Sequence, residues 1–271
     1  MRLDAERLWW NAERFGLTPR KILSRLRDRP GPVVILNSLP KAGTHLLERA
    51  ICQHPQLYRA LSRTLHRRTL GGHDDRILEH IRRTKANQVL VTHLEYRSEL
   101  ERTLSELDIR MLFMIRDPRD IVVSQAHFIA GRQKHPFNTL FASFESVARY
   151  RLVIHGSAEN GFAPIGKRLE AFAGWLTARN HVVRYEDLIG SEGGGSSDRQ
   201  LATLAGIFDF LGLSISPLLL EKIAKSIFFT TSPTFRVGTV GQWRSQFDQE
   251  TADEFTKAAG EISQMYGYAI E

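Results

Sequence analysis

The chain has 271 residues, of which 42% are hydrophobic and 25% charged, and this balance excludes a disordered or fibrous protein. Its formal net charge of +7 favours an anionic ligand, although a generally basic surface gives the same sum. The single cysteine, Cys52, excludes an internal disulfide and suits a reducing compartment. No apolar run approaches the roughly 18 residues of a membrane-spanning helix, and the first residues lack the apolar core of a signal peptide. We therefore expect a cytoplasmic protein.

Residues 1–29 form an arginine-rich amphipathic segment that includes Trp9 and Trp10. A basic amphipathic helix is able to lie on a membrane or a partner. The two tryptophans, however, stand among charges of both signs, so we expect a helix packed on the domain. Arg29 to Pro32 then forms a turn into the first strand.

The stretch from Val33 to Thr44 is the most informative part of the chain. The apolar run Val33–Leu36 predicts a buried parallel strand, a turn with Pro40 and Gly43 follows, and a helical pattern begins near Thr44. A strand, a tight loop and a helix together direct backbone N–H groups at a phosphate. Lys41 adds a positive charge to this loop, while Thr44 and His45 add side-chain donors. The sequence therefore predicts a site for a phosphorylated small molecule.

Two further strands are predicted downstream, Val89–Leu94 and Met111–Ile115, and each runs into polar residues. Before them, residues 55–85 predict a loop-helix insertion, and after them residues 127–165 predict a helical excursion from the sheet. Residues 191–197 predict a flexible surface loop, and residues 199–212 and 249–268 predict helices. This alternation of strands and helices predicts one doubly wound parallel sheet.

The loop sequence PKAGTH differs from the common nucleotide loop, because its lysine precedes the glycine and Ala42, not a hydroxyl residue, follows the lysine. This order resembles the PKSGTT loop of the PAPS-dependent sulfotransferases. The segment RDPRDIVVS resembles that family's RxPxDxxxS segment, in which an arginine and a serine hold the 3′-phosphate of PAPS. Arg116 and Ser124 match those two positions. An arginine at a strand end is also suited to grip a phosphate with two parallel hydrogen bonds.

Three other segments resemble the same family, in the family's order. The segment VVRYEDL resembles its YEDL segment, whose tyrosine lies near the adenine and matches Tyr185. The segment FRVGTVGQW resembles FRKGxxGDW, and Arg236 and Gly238 occupy its phosphate-gripping positions. The segment VTHL resembles KTHLP, in which the histidine is the catalytic base, and His93 matches it. The resemblance spans about residues 33–245.

The resemblance implies an α/β fold with a central parallel sheet flanked by helices, similar to the P-loop NTPases. It implies a single sulfotransferase domain over residues 1–271 that moves the sulfuryl group from PAPS to a hydroxyl or amine, releases PAP and needs no metal. Lys41 and His93 would be the catalytic residues, with His93 as general base and Lys41 stabilising the leaving phosphate. The residues that would bind the cosubstrate are Lys41, Ala42, Gly43, Thr44, His45, Leu46, Arg116, Ser124, Tyr185, Arg236, Val237 and Gly238.

The chain departs from the family pattern at four positions. Val91 replaces a lysine, Leu46 replaces the tryptophan that often stacks on adenine, His45 replaces a second threonine, and Val237 replaces a second basic residue. The adenine stack and part of the phosphate charge must therefore be missing or be supplied from elsewhere. Tyr185 has an alternative interpretation as a core tyrosine, and Arg116 has one as a structural partner of a nearby aspartate.

The acceptor is not readable from the motifs. It depends on the variable stretches 55–85 and 127–165, where plentiful histidine and arginine favour a carbohydrate or a lipid-like alcohol over a flat phenol. The aromatic residues of 127–150 either line an acceptor pocket or fill the core. No nucleic-acid-binding module is recognisable. Two other functions stay open: a small-molecule kinase using ATP and Mg²⁺, which Ala42 disfavours, and a member of the fold that binds nucleotide without catalysis.

Overall fold

The computed structural model describes residues 2–66, 74–177, 179–228 and 238–270. Its helices alternate with strands along the chain. The helices are α1 (Arg2–Arg14), α2 (Pro19–Arg27), α3 (Thr44–Ile51), α4 (Asp74–Arg82), α5 (Ser98–Glu106), α6 (Pro118–Ala130), α7 (Asn138–Ala142), α8 (Ser146–His155), α9 (Ile165–Ala173), α10 (Tyr185–Leu188), α11 (Ser197–Phe210), α12 (Pro217–Ile227) and α13 (Gln249–Met265).

The described strands form one parallel sheet. They are β1 (Val34–Ser38), β2 (Tyr58–Arg59), β3 (Leu65–His66), β4 (Gln88–His93), β5 (Arg110–Ile115) and β6 (His181–Arg184). The order across the sheet is β2-β4-β1-β5-β6, and β3 also pairs with β4. The short strands β2 and β3 pair with opposite ends of β4, so together they extend one edge of the sheet.

The two faces of the sheet are covered by different helices because the apolar strand residues alternate between them. Ile35 and Phe113 belong to one core cluster, which includes residues of α4, α5, α6, α8, α9 and α13. Leu36 and Leu112, their neighbours in sequence, belong to a second cluster with residues of α3, α11 and α12. Parallel strands buried on both faces read as continuous apolar runs, as these do. The predicted α/β fold with a parallel sheet flanked by helices is confirmed.

The topology places a crevice at the carboxyl end of β1. The chain leaves β1 toward β4 on one side and reaches β5 on the other, and open parallel sheets bind ligands where the strand order reverses. The register pairs Asn37 with both Thr92 and Phe113. The strand ends that carry the loop after β1, the histidine of β4 and the arginine after β5 therefore meet at one edge of the sheet.

The amphipathic segment 1–29 is two helices and not one. Gly16, at φ +73°, separates α1 from α2, and a Cβ atom there would lie 2.9 Å from Cγ of Tyr58. The buried ammonium of Lys21 donates hydrogen bonds to the carbonyls of Cys52, His54 and Leu57, which fixes α2 to the domain. Among the described helices, none has the length and apolar character needed to cross a membrane.

Three stretches differ from the sequence expectations. Residues 55–85 contain β2 and β3 as well as the predicted helix, because two-residue strands carry too little pattern to be recognised. Residues 191–197 lie largely at the surface, as predicted, but Gly193 is buried, and its carbonyl accepts a hydrogen bond from the amide of Val240. The helix α12 was not predicted.

Candidate active site

The loop after β1 has a backbone that only glycine permits at one position. Gly43 has φ +106°, a conformation that residues with a Cβ rarely adopt. An added Cβ atom would also lie 2.4 Å from Cδ2 of Tyr185 and 2.8 Å from Cε of Met114. Gly43 precedes α3, and no side chain caps this helix. The first-turn amides of α3, which have no intrahelical partner, are therefore left for an anion at the crevice.

His93 is the last residue of β4 and lies beside the last residue of β1. Its Nδ1 atom is 2.7 Å from the carbonyl oxygen of Ser38. Because a carbonyl only accepts, Nδ1 carries the proton and Nε2 presents its lone pair. Burial lowers the pKa of His93 to about 3; the Ser38 carbonyl opposes this shift, and the charges of neighbouring side chains add to it. His93 is thus a neutral imidazole with a defined tautomer.

The strand end that carries His93 is fixed by Asn37. The side-chain oxygen of Asn37 accepts hydrogen bonds from the hydroxyl of Thr92 at 2.9 Å and from the amide of Leu94 at 2.8 Å. Its amide nitrogen donates to the carbonyl of Leu94 at 2.9 Å. Next along β1, the hydroxyl of Ser38 lies 2.6 Å from that of Thr44, so the loop and the histidine are connected through one residue.

Arg116 follows β5 and lies almost buried in the wall of the crevice. Its guanidinium carbon lies 4.2 Å from the ring centroid of Tyr185, and Nη2 donates to the carbonyl of Thr239 at 3.2 Å. Nη2 is also 3.6 Å from a carboxylate oxygen of Asp120. Nε is out of solvent and has no hydrogen-bond partner. A buried donor without a partner is costly unless a ligand satisfies it.

Asp120 holds the segment that follows residue 237 against this wall. Its two carboxylate oxygens accept hydrogen bonds from the amides of Gly241 and Trp243, at 2.8 and 3.0 Å. The hydroxyl of Tyr185 donates to the carbonyl of Gly238 at 2.7 Å. Burial raises the pKa of Asp120, and the neighbouring Arg116 opposes that rise. Residues distant in sequence are in this way brought to one end of the crevice.

The crevice is a cleft of about 1880 Å³. Small-molecule pockets commonly have volumes of roughly 300–1,000 Å³, so this cleft accommodates two ligands at once. One end is lined by Arg116, Tyr185 and Gly238, and the other by aromatic residues of α6 and of the segments that follow it. The loop after β1 contacts both ends, since Gly43 lies against Tyr185 and the ammonium of Lys41 lies over Phe128, and His93 lines the same cleft.

The family model of the sulfotransferase domain matches residues 32–268 of this chain. The chain belongs to the sulfotransferase family. The motif resemblance is thereby confirmed, and so is the expectation of an enzyme that transfers a sulfuryl group. A small-molecule kinase is excluded by the same match.

Two curated sulfotransferases and one solved structure show the range of its relatives. Rat sulfotransferase 2A6 is 23% identical over 253 residues, which cover 83% of this chain and 82% of that protein. Mouse carbohydrate sulfotransferase 3 is 24% identical over 212 residues, which cover 74% of this chain and 42% of that protein. The crystal structure of mouse sulfotransferase SULT7A1 complexed with PAP has a TM-score of 0.63 at 20% identity, with 93% and 94% of the two chains covered.

Most of the residues predicted for this sulfotransferase's site line one cleft. Those that do are Lys41, Gly43, Thr44, His45, Leu46, His93, Arg116, Ser124, Tyr185 and Gly238. Ala42 is fully buried beneath the loop and does not line it. Arg236 and Val237 lie outside the described residues. The individual roles of all these residues stay predictions.

Several contributors to the site had no motif to reveal them. Asn37 and Ser38 act through contacts with another strand, which sequence does not show. Trp10, from α1, lines the cleft on the side of Leu46, and the guanidinium carbon of Arg49 lies 4.8 Å from its ring centroid. The amphipathic pattern of α1 marked Trp10 as a packing residue but gave no indication of what it faces.

The aromatic residues of 127–150 divide between the two interpretations left open above. Phe128 and Phe137 line the cleft, whereas Phe141 and Tyr150 are fully buried core residues. The ammonium of Lys41 lies 4.2 Å from the ring centroid of Phe128. This contact keeps the positive charge of the loop over the cleft and on the side of the aromatic end.

We predict that His93 in the ligand-free protein is neutral, with its proton on Nδ1, from about pH 8 down to below about pH 5. Burial disfavours the imidazolium, so the base form persists at lower pH than for an exposed histidine. Long-range ¹⁵N–¹H spectra of histidine-labelled protein, assigned with His93→Gln, measure both the tautomer and the titration. Titration close to the ordinary histidine value, or a proton on Nε2, would contradict the geometry.

Proposed function

We propose that this protein transfers the sulfuryl group of PAPS to a hydroxyl or amine of a small-molecule or glycan acceptor, with His93 as general base. The observation that carries this proposal is the position of a neutral histidine, with a free Nε2, beside a phosphate-type loop in a cleft with room for two ligands. The PAP bound to the related mouse structure supports PAPS as the donor.

The residues at one end of the cleft fit such a donor. PAPS supplies the sulfuryl group and leaves as PAP. The uncapped first turn of α3 offers amides to the 5′-phosphosulfate, and Gly43 lets the backbone approach it. Arg116 has a buried Nε without a partner and lines the cleft together with Ser124, which fits the 3′-phosphate. Leu46 and Trp10 line the cleft beside α3 and give an apolar wall to the purine.

His93 moves the proton of the acceptor. Its Nε2 lone pair accepts the proton of the attacking hydroxyl or amine, while Nδ1–H keeps its hydrogen bond to the Ser38 carbonyl. That carbonyl also stabilises the imidazolium that forms. A strongly lowered pKa makes His93 a weak base in the free protein. The phosphosulfate group is anionic, so its binding at the neighbouring loop raises the pKa and strengthens the base.

Lys41 stabilises the leaving group. Its ammonium lies over Phe128, at the loop where the donor's phosphosulfate is held, and its side chain is long enough to turn toward that group. Negative charge on the bridging oxygen grows mainly in the transition state, so an ammonium there lowers the barrier without tightening ground-state binding by the same amount. In phosphoryl transfer most of the catalysis comes from positioning and from electrostatic stabilisation, and sulfuryl transfer has the same demands.

His93→Ala should lower the rate of sulfuryl transfer about 10²- to 10⁴-fold while PAP affinity stays within a few-fold, because the base acts on the acceptor. Transfer from radiolabelled PAPS to a panel of hydroxyl and amine acceptors gives the rate, and calorimetry with PAP gives the affinity. His66→Ala is the matched control, since the His66 ring lies 4.9 Å from that of His93. The proposal fails if His66→Ala is inactive and His93→Ala is active. PAP binding without transfer to any acceptor in the wild type would indicate a non-catalytic member.

Arg116→Ala should weaken the binding of PAP about 10- to 150-fold and the binding of adenosine 5′-monophosphate much less, because only PAP carries the 3′-phosphate. Lys41→Ala should mainly slow transfer. Calorimetric titration of both nucleotides into wild type and both variants tests this, with thermal unfolding to check that Arg116→Ala is folded. Equal losses for the two nucleotides would show that Arg116 acts through its contacts with Thr239 and Asp120 alone.

A further inference from the structure

Arg168 is a positively charged side chain in the wall of the cleft that no motif marked. It is the fourth residue of α9, and its Nη1 donates a hydrogen bond to the side-chain oxygen of Gln125 on α6. Its guanidinium carbon lies 5.2 Å from the ring centroid of Phe162. Nε and Nη2 are both out of solvent and without a hydrogen-bond partner. Three of its five N–H bonds, one on Nε and two on Nη2, therefore point at nothing that accepts them.

No carboxylate among the described residues pairs with Arg168. Burial alone lowers its pKa to about 10, and no neighbouring charge contributes. A guanidinium stays protonated under these conditions, so the protein holds a desolvated positive charge without a counter-charge. Such a charge is strongly destabilising unless something pairs with it. A ligand that brings the missing negative charge removes this penalty.

Arg168 differs from two other arginines of the cleft in what lies beside it. Arg14 pairs with the buried carboxylate of Glu48, whose pKa falls to about 2, and Arg116 lies near Asp120. Arg116 also has a buried Nε without a partner, whereas Arg168 has two such nitrogens and only a neutral amide and an aromatic ring beside it.

Arg168 lies over Phe162 at the aromatic end of the cleft. Phe137 and Phe162 pack edge to face with ring centroids 5.0 Å apart, and Phe128 and Phe172 line the same end. The helix α9 is joined to the segment after β4, since the amide of Tyr96 donates to the carbonyl of Ala171 at 2.7 Å. This end is therefore continuous with the wall that carries His93, as an acceptor pocket must be.

We propose that Arg168 binds a carboxylate of the acceptor, and that the substrates are hydroxylated or aminated carboxylic acids with an apolar body. A guanidinium matches a carboxylate with two parallel hydrogen bonds, and Nε and Nη2 are the adjacent nitrogens that such a pair uses. Both nitrogens are covered by protein in the ligand-free cleft, so the proposal requires the Arg168 side chain to turn toward the acceptor when it binds. The aromatic rings then contact the apolar body and leave the reacting hydroxyl toward His93. This assignment rests on the proposed sulfuryl transfer and narrows its acceptor.

Two matched pairs of probes test the assignment without needing turnover: hydroxyphenylpropionate with its methyl ester, and ω-hydroxydodecanoate with its methyl ester. Calorimetry with PAP-loaded protein should show tighter binding of at least one acid than of its ester, by about 10- to 100-fold. Arg168→Met should abolish this preference by weakening the acid and leaving the ester within a few-fold. The same preference should appear in kcat/KM for transfer from PAPS.

Two further variants separate recognition from folding. Gln125→Glu places a carboxylate against Nη1 with almost no change in shape, so it should remove the preference for the acid and leave the protein stable. Arg132→Met is the matched control, because this exposed arginine lies over Phe128 at 5.2 Å and should change acid and ester alike.

The results distinguish a failure of the role proposed for Arg168 from a failure of the proposed sulfuryl transfer. Equal binding of acid and ester in the wild type, or equal loss of both in Arg168→Met with Gln125→Glu unchanged, would overturn the role of Arg168. A preference for the acid that depends on Arg168, together with no transfer from PAPS to any hydroxyl or amine acceptor, would instead overturn the proposed sulfuryl transfer.

Discussion

The parallel pairing of β1 with β4 is the constraint on which the site depends. It places the carbonyl of Ser38 within hydrogen-bonding distance of His93. It also lets the side chain of Asn37 bind both the amide and the carbonyl of Leu94, the residue after His93. The tautomer of the histidine, the direction of its free nitrogen and its distance from the loop all follow from this register. A shift of one residue would turn His93 to the other face of the sheet and separate it from the loop.

The two ends of the cleft differ in whether their arginines pair with carboxylates of the protein. Beside the end proposed for the donor, Arg14 of α1 pairs with the carboxylate of Glu48 on α3. This pair keeps the N-terminal helix α1 against α3, so Trp10 stands beside the loop although it is distant in sequence. At the aromatic end the charge of Arg168 has no such partner. A cation paired with a carboxylate of the protein holds two segments together, whereas a cation without such a partner is able to pair with an anionic group of a ligand.

The relatives place this chain in its family but leave its acceptor open. Identities of 23% and 24% to a 2A-type and a carbohydrate sulfotransferase agree with a shared domain. The aromatic residues that line the aromatic end of the cleft follow the RDPRDIVVS segment in the chain. The walls of this end are built by α6, α9 and the segments between them. Their apolar surface and the buried guanidinium of Arg168 are the basis of the proposed carboxylic acid acceptor, whereas the sequence favoured a carbohydrate or a lipid-like alcohol.

The sequence by itself determined the fold class, the central strands and the order of the phosphate-binding segments. Continuous apolar runs and glycine-containing turns are local signals that a sequence shows directly. The segments PKAGTH and RDPRDIVVS also occur in the order in which the sulfotransferase family has them. The sequence did not show β2, β3 or the break at Gly16, where only a few residues carry each feature. Tertiary structure alone decided the contacts of Asn37, Ser38, Trp10 and Arg168. Each acts through a contact with a distant segment, and whether a charge is paired or desolvated depends on neighbours that only folding brings together.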